Sequence, residues 1–354
     1  MLKYELLVNL PAYIERSDFK RELGVQGQLT LQFLAQGEYN INFVIEGQAV
    51  PKQDRSLRFV IRVNTGSQIK STNQIAYEYQ ALALLSATGV TPKPYYLDDS
   101  RLCIPYGLLV MEYLPGEPLD YRRDLTKAAE TFAHIHRLKP EKTATDFLIR
   151  DSNPFSAIVS ESEDLLTHYF NCPDADPIIR QLLEKILLEA RERKNGEIYL
   201  RQEPWLAVIN TEVNSHNFIV NRECQTCHLI DWEKPIWGEP AQDLSMFVIA
   251  TTTLWKRNYR LSRDEETLFI NAYKKTLIKD GYDKHVNTSY LPTLSDRIEM
   301  FKFFNYLRAI SWCAMAWTEY IKPGRPLVNT DTFAKIKTYL EPAFLVECFP
   351  FVKN

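Results

Sequence analysis

Three oxygen-bearing side chains flank short apolar runs between Ala207 and Leu244: Glu212, Asn217 and Asp231. Asn217 follows Glu212 by five positions and opens the run Phe218-Ile219-Val220, and Asp231 closes the run Leu229-Ile230. Apolar runs of this length bounded by polar turns read as short buried strands. The brief insert between them suits a hairpin, which would set Asn217 at the start of one strand and Asp231 at the end of its neighbour. An amide oxygen and a carboxylate converging at one edge suit a hard divalent cation. Mg²⁺ takes few protein ligands and fills the rest of its shell with phosphate oxygens and water. Glu212 beside such a metal would accept a proton or orient a hydroxyl.

The ordered spacing resembles the catalytic segment of the aminoglycoside phosphotransferase and choline kinase family, which has the protein-kinase-like fold. That family carries His-Gly-Asp, an Asn five residues after the Asp, and then an apolar-Asp-(Trp/Phe) triplet. Here the first triplet is Asn210-Thr211-Glu212, the Asn is Asn217 and the later triplet is Ile230-Asp231-Trp232. Gly238-Glu239-Pro240-Ala241-Gln242-Asp243-Leu244 is similar to the family's Gly-x-Pro-x-x-Asp-Leu helix start. The resemblance spans residues 29 to 255, and beyond them only the helical character matches. It implies an α+β, protein-kinase-like two-lobed fold: a small N-terminal antiparallel-sheet lobe over 1–112 and a larger, mainly helical C-terminal lobe over 113–354. It also implies Mg²⁺-dependent transfer of the ATP γ-phosphate to a hydroxyl of a small molecule. Glu212 would orient that hydroxyl, and Asn217 and Asp231 would hold the metal.

These residues need a scaffold, and the chain before them supplies a candidate. Residues 1 to 28 read as one or two helices. From Leu29 to Val63 the segments LTLQFLA, INFVIEG and LRFVIRV have strand composition, and the last places Arg58 and Arg62 on a polar side. The turn Gln36-Gly37-Glu38-Tyr39-Asn40 holds one Gly and is no Gly-x-Gly-x-x-Gly. Alone it reads as plain structure, whereas in the resemblance Gly37 and Asn40 belong to the nucleotide loop. Ser71 opens the next helix with Gln74 in a capping-box pairing. Glu78 flanks the apolar stripe Ile75, Tyr79, Leu82 and Leu85. Arg62 is its natural partner. As an isolated pair this is an ordinary surface salt bridge; in the kinase-like reading it fixes a cation over the α- and β-phosphates. The strand YGLLVMEYL runs into Pro115-Gly116, a natural lobe boundary. The resemblance implies that backbone groups near Glu112 and Leu114 hold an adenine there, while the side chains alone fit any strand leaving a sheet.

Helices are expected at Asp124–Lys139, at two stretches within 151–194, from Pro240 to about Trp255, and over 262–280, 293–321 and 330–346. The aromatics from Phe301 to Tyr320 fit a buried core helix better than a cage for a cationic acceptor. His134 and His136 lie on different helix faces and read as packing or capping residues.

A net charge of −3 gives no electrostatic case for nucleic acid or an anionic membrane. No stretch approaches the roughly 20 apolar residues of a span, and the N-terminus lacks the apolar core of a secretory signal. Six cysteines in 354 residues suit free thiols in a reducing cytoplasm. The string Cys224-Gln225-Thr226-Cys227-His228 spells a haem-attachment or zinc half-site pattern, but it falls at the tip of the proposed hairpin and reads as incidental. The departure at Glu212 weighs more. Its extra methylene moves the carboxylate by about 1.5 Å on a fixed backbone, and a misplacement of about 1 Å costs on the order of 100-fold in rate. Phosphoryl transfer has a loose transition state that relies on positioning and charge neutralisation, so a Glu base remains workable. The alternative is a catalytically degenerate nucleotide-binding regulator. The acceptor and the oligomeric state are not legible.

Overall fold

The computed structural model describes residues 2–37, 39–50, 56–67, 72–279, 286–322 and 329–353. Glu38 of the expected nucleotide loop and Ser71, the expected helix cap, lie outside the described residues. In chain order the N-terminal elements are α1 (Leu2–Ile14), α2 (Ser17–Leu23), β1 (Val25–Gln36), β2 (Asn40–Ala49), β3 (Ser56–Asn64), α3 (Gln74–Leu85), β4 (Pro94–Asp98), β5 (Gly107–Glu112) and β6 (Glu117–Pro118). There follow α4 (Tyr121–His136), β7 (Ile149–Arg150), α5 (Pro154–Phe170), α6 (Pro177–Arg193), α7 (Glu197–Gln202), β8 (Ala207–Ile209), β9 (Phe218–Asn221), β10 (Thr226–Leu229) and β11 (Ile236–Gly238). The last are α8 (Pro240–Val248), α9 (Ala250–Lys256), α10 (Arg263–Lys279), α11 (Leu291–Tyr320), α12 (Thr330–Leu340) and α13 (Pro342–Cys348).

The chain forms two compact units. The first comprises Met1–Pro118, Leu138–Leu148 and Asn217–Pro235; the second comprises Leu119–Arg137, Ile149–His216 and Ile236–Asn354. The first unit is built on an antiparallel sheet of order β1-β2-β3-β5-β4. Side chains alternate across a pleated strand, and here the alternation sorts chemistry. Ile41, Phe43, Ile45, Phe59, Ile61, Val63, Leu108 and Val110 pack with Leu6, Leu10, Tyr13 and Phe19 of the two leading helices in one apolar core. The opposite face therefore carries Asn42, Val44, Val60, Arg62, Leu109 and Met111. A smaller sheet, β10-β9-β6, joins the strand after Pro115-Gly116 to the hairpin that carries Asn217 and Asp231. Gly116 has φ 153°, and a Cβ there would sit 2.7 Å from the Val220 carbonyl oxygen. Gly116→Ala is expected to destabilise this unit by about 1–3 kcal/mol, read as a shift in urea midpoint at unchanged slope.

The second unit is mainly helical. Its centre is α11, which packs along α5: Phe155 stacks on Phe304 at 4.1 Å and meets Phe301 edge-on at 4.8 Å, with both α11 rings buried. The aromatic run is thus a core helix. A second pair is α4 with α10, where Phe269 lies edge-on to Phe132 and Tyr273 bonds His136. Two expected helices are each broken in two. Ile249 takes an extended conformation (ψ 151°) between α8 and α9, ahead of three β-branched threonines. Glu341 does the same ahead of Pro342, whose ring disfavours helical backbone in the preceding residue. Among the described residues no helix is long and apolar enough to cross a membrane.

A buried acid ties α8 to α11. Glu239 accepts from Tyr290 Oη and lies 3.2 Å from Arg297 Nη1; Arg297 also reaches the Glu203 carbonyl at 2.9 Å. Burial pushes the Glu239 carboxyl up to about 7, against the pull of Arg297 and the Tyr290 hydroxyl. A carboxyl with a raised folded pKa binds its proton more tightly in the folded chain than in the unfolded one. Its contribution is therefore complete below its ordinary value of 4.5 and is lost as pH rises towards about 7. The loss amounts to roughly 3–4 kcal/mol. Glu239→Gln should flatten the stability profile across that window in urea melts taken at several pH values, whatever constant offset the substitution adds.

Candidate active site

In the first unit, the sheet face away from the helical core holds two adjacent rows. Strand register sets Val44 opposite Val60 and Val60 opposite Met111, and sets Asn42 opposite Arg62 and Arg62 opposite Leu109. Directly opposed residues share a face, so an apolar strip runs beside the strip that carries Arg62. Arg62 is buried. Its Nη1 donates to Glu78 Oε1 at 2.5 Å and to Asp231 Oδ1 at 2.9 Å, and its Nε donates to Asn42 Oδ1 at 3.0 Å. The predicted Arg62–Glu78 pair is therefore formed, and it is no surface bridge: Glu78 is 1 % exposed. The helix explains this, since Gln74, Ile75, Glu78, Ala81, Leu82 and Leu85 recur at helical spacing on the buried side of α3.

The hairpin delivers the other partner. Phe218 pairs with Leu229, and one step further the Ile230 N–H donates to the Asn217 carbonyl at 2.7 Å. Asn217 and Asp231 thus leave the same end of the hairpin, as the spacing predicts. Asp231 has φ 66°, a left-handed conformation that Asp tolerates better than most residues. It is held there by Trp232, fully buried, whose Nε1 donates to the Leu229 carbonyl at 2.9 Å. Next along, the Glu233 carboxylate accepts from Asn40 Nδ2, its carbonyl accepts from Gln74 Nε2, and the Pro235 carbonyl accepts from Tyr77 Oη. The segment after Asp231 is therefore latched to the start of β2 and to α3. Sequence reasoning missed Glu233. Its only local signal is a second acid two positions after Asp231, which a strand pattern would aim at the same side.

Charge decides what this cluster suits. Burial works against the Arg62 guanidinium, and Glu78, Asp231 and Glu233 together more than reverse it, so it is held charged. Burial pushes the Glu78 carboxyl up, and Asp231 adds to the push against the pull of Arg62. Three acidic side chains, Glu78, Asp231 and Glu233, thus act on one guanidinium. Carboxylate oxygens are hard donors, the chemistry that Mg²⁺ takes.

The other expected nucleotide residues also belong to this unit. The Gly37 N–H donates to the Asn40 carbonyl at 2.9 Å and closes the β1–β2 turn. Asn40 is buried, its Oδ1 accepting from Asn64 Nδ2 at 2.9 Å while its Nδ2 serves Glu233. Glu112 ends β5, its N–H on the Lys93 carbonyl at 2.8 Å, and Leu114 lies half-buried in the irregular stretch before β6.

Glu212 lies in the second unit, half-buried, on a loop under restraint. β8 pairs with β11 from Ile209↔Ile236 to Ala207↔Gly238, and this brings the loop after Ile209 beside the start of α8. Asp243 on α8 is fully buried, and its two oxygens each accept a loop amide at 2.8 Å, Oδ2 from Asn210 and Oδ1 from Thr211. This clamp holds Thr211 at φ 69°, a strained conformation for a β-branched residue. Asn210 Oδ1 accepts the Glu212 N–H at 3.0 Å, so the residue in the place of a His supports the loop from within. His136 completes the support. It is fully buried, with Nε2 3.5 Å from Asp243 Oδ2 and Nδ1 3.0 Å from Tyr273 Oη. Its signal was its place on the apolar stripe of α4, one turn after Phe132. Cys224 and Cys227 are free thiols at the hairpin, one exposed and one buried.

The sequence model of the phosphotransferase enzyme family matches residues 30–285. A search of curated proteins finds no match. Solved structures share the fold at low identity. An ethanolamine kinase from Plasmodium vivax is 16 % identical with a TM-score of 0.62, over 94 % of this chain and 87 % of that one. A putative aminoglycoside phosphotransferase from Ralstonia eutropha is 14 % identical with a TM-score of 0.63, over 98 % of each chain. A choline kinase from Cryptosporidium parvum is 14 % identical with a TM-score of 0.60, over 94 % of this chain and 96 % of that one.

Proposed function

This chain belongs to the phosphotransferase enzyme family, and from that premise we propose that it moves the γ-phosphate of ATP to a hydroxyl of a small molecule. The observation that carries the reading is the ion-pair network in which buried Arg62 and Glu78 meet half-buried Asp231 at the mouth of the Asn217 hairpin. Asn217 and Asp231 would hold Mg²⁺, and Arg62 would face the phosphates with its orientation set by Glu78. Such a metal would supply charge neutralisation to the phosphoryl group in transfer. The adenine lies along the apolar strip Val44–Val60–Met111, with backbone near Glu112 and Leu114 available to its edge. Gly37 and Asn40 form the turn over the phosphates. Glu212 orients the acceptor hydroxyl, whose oxygen forms the new bond to the γ-phosphorus as the bond to the β-bridging oxygen breaks. ADP leaves, and the hydroxyl proton passes to Glu212 or to water. An ATP-dependent reaction and six free cysteines support a cytoplasmic setting.

The acceptor is open. Ethanolamine, choline and aminoglycosides head the panel to be tested, because the similar proteins carry those names. Incubation with γ-labelled ATP and Mg²⁺ should transfer label to one class of hydroxyl compound. A second reading, a nucleotide-binding regulator without turnover, is favoured only by the Asn210 and Glu212 substitutions. It predicts Mg·ATP binding with no label on any acceptor and no hydrolysis. Against it stands the upkeep of the strained loop by Asp243 and Asn210, which a protein without turnover has no need to maintain.

A further inference from the structure

The peptide group joining Thr211 to Glu212 is gripped at both ends. Its N–H, on Glu212, is bound by Asn210 Oδ1 at 3.0 Å. Its carbonyl, on Thr211, accepts from Arg308 Nη1 at 3.3 Å. Arg308 comes from the middle of α11, far along the chain, and its side chain is 13 % exposed. Its Nε is anchored separately on Glu161 Oε2 of α5 at 3.2 Å. A guanidinium fork can serve a carbonyl and a carboxylate at once in one plane, which an ammonium cannot do with the same geometry. The two preceding amides sit on Asp243, so Arg308 acts on the one peptide plane that Asp243 does not reach.

We propose that Arg308, oriented by Glu161, is a positioning residue for the reaction: it fixes the Thr211–Glu212 peptide plane and so aims the Glu212 carboxylate. The proposal rests on the reading of Glu212 given above. The physical reason is strain. Thr211 at φ 69° gains by leaving the left-handed region. Rotation of the following peptide plane is an obvious route, and it swings the Glu212 side chain with it. A hydrogen bond to the Thr211 carbonyl opposes that rotation.

The test compares the parent with Arg308→Met, Arg308→Lys, Glu161→Gln and Glu212→Gln. Amide exchange is read residue by residue. Turnover is read with Mg·ATP and the acceptor from the panel, or with water as acceptor. In Arg308→Met, exchange at the Glu212 amide should rise by roughly tenfold or more while the Asn210 and Thr211 amides stay protected. The kcat should fall by roughly tenfold with KM for Mg·ATP unchanged. Arg308→Lys should recover part of both. Glu161 is on the surface, and Glu161→Gln should loosen the same amide in a chain that folds normally. A general loss of packing would instead expose all three loop amides together, and that result overturns the proposal. So does Glu212 exchange unchanged in Arg308→Met and Glu161→Gln, or an unchanged kcat in Arg308→Met while Glu212→Gln is inactive. Full activity in Glu212→Gln sinks the catalytic reading itself and this proposal with it.

Discussion

Asp231→Ala is expected to lower the rate of phosphoryl transfer by on the order of 1000-fold, because it removes the proposed metal ligand from a reaction that depends on charge neutralisation. The structure separates this effect from general damage. Asp231 sits at the end of a hairpin whose register is set by β9, β10 and the buried Trp232, none of which needs the carboxylate. Arg62 keeps Glu78 and Asn42 after the change, so no buried charge is stranded. The melting temperature without nucleotide should fall by only a few degrees, because Ala tolerates φ 66° less well than Asp and the ion pair with Arg62 is lost, while the gain in ATP affinity that Mg²⁺ gives is lost outright. Steady-state kinetics over a range of Mg²⁺ concentrations check the first part, and calorimetric titration with ATP checks the second. An Asp231→Ala protein with parental kcat would mean that the cluster is structural.

Glu212→Gln should cost between about 100-fold and 1000-fold in kcat and leave ATP affinity alone. The amide is isosteric with the carboxylate, so the loop held by Asp243 and Asn210 is undisturbed. What disappears is the ability to accept the proton and to hold the hydroxyl by a charged hydrogen bond. Because the transition state is loose, most stabilisation comes from elsewhere, and the loss should be smaller than that at Asp231. Rapid-quench measurement of a single turnover separates the chemical step from product release. An unchanged single-turnover rate would remove Glu212 from the mechanism.

The parts of the site that were legible in the sequence share one property: each lies within a local pattern. Asn217 and Asp231 bracket apolar runs joined by a short turn, so strand length and pairing place them together. Glu78 interrupts a helical apolar stripe, and Arg62 alternates with β-branched residues, so each could be aimed before any contact was known. The contacts that the supporting residues make have no such signature. Asn40 meets Glu233 across nearly two hundred positions, and His136, Asp243 and Thr211 come from three separate segments. Backbone conformation was equally hidden: nothing in Asn-Thr-Glu announces a left-handed Thr, since local preference opposes it and tertiary bonds impose it. Proline chemistry accounts for the break before Pro342, which the expected single helix over 330–346 overlooked, whereas the break at Ile249 has only a weak β-branched hint.

The account depends on Asn217 and Asp231 holding a divalent cation with bound ATP. Titrating Mg²⁺ into protein premixed with ATP, with melting temperature as the readout, tests this most directly. A saturable rise that the Asn217→Ala/Asp231→Ala double variant lacks is the expected result. Equal stabilisation by ATP with and without Mg²⁺, or a double variant that responds like the parent, would contradict it.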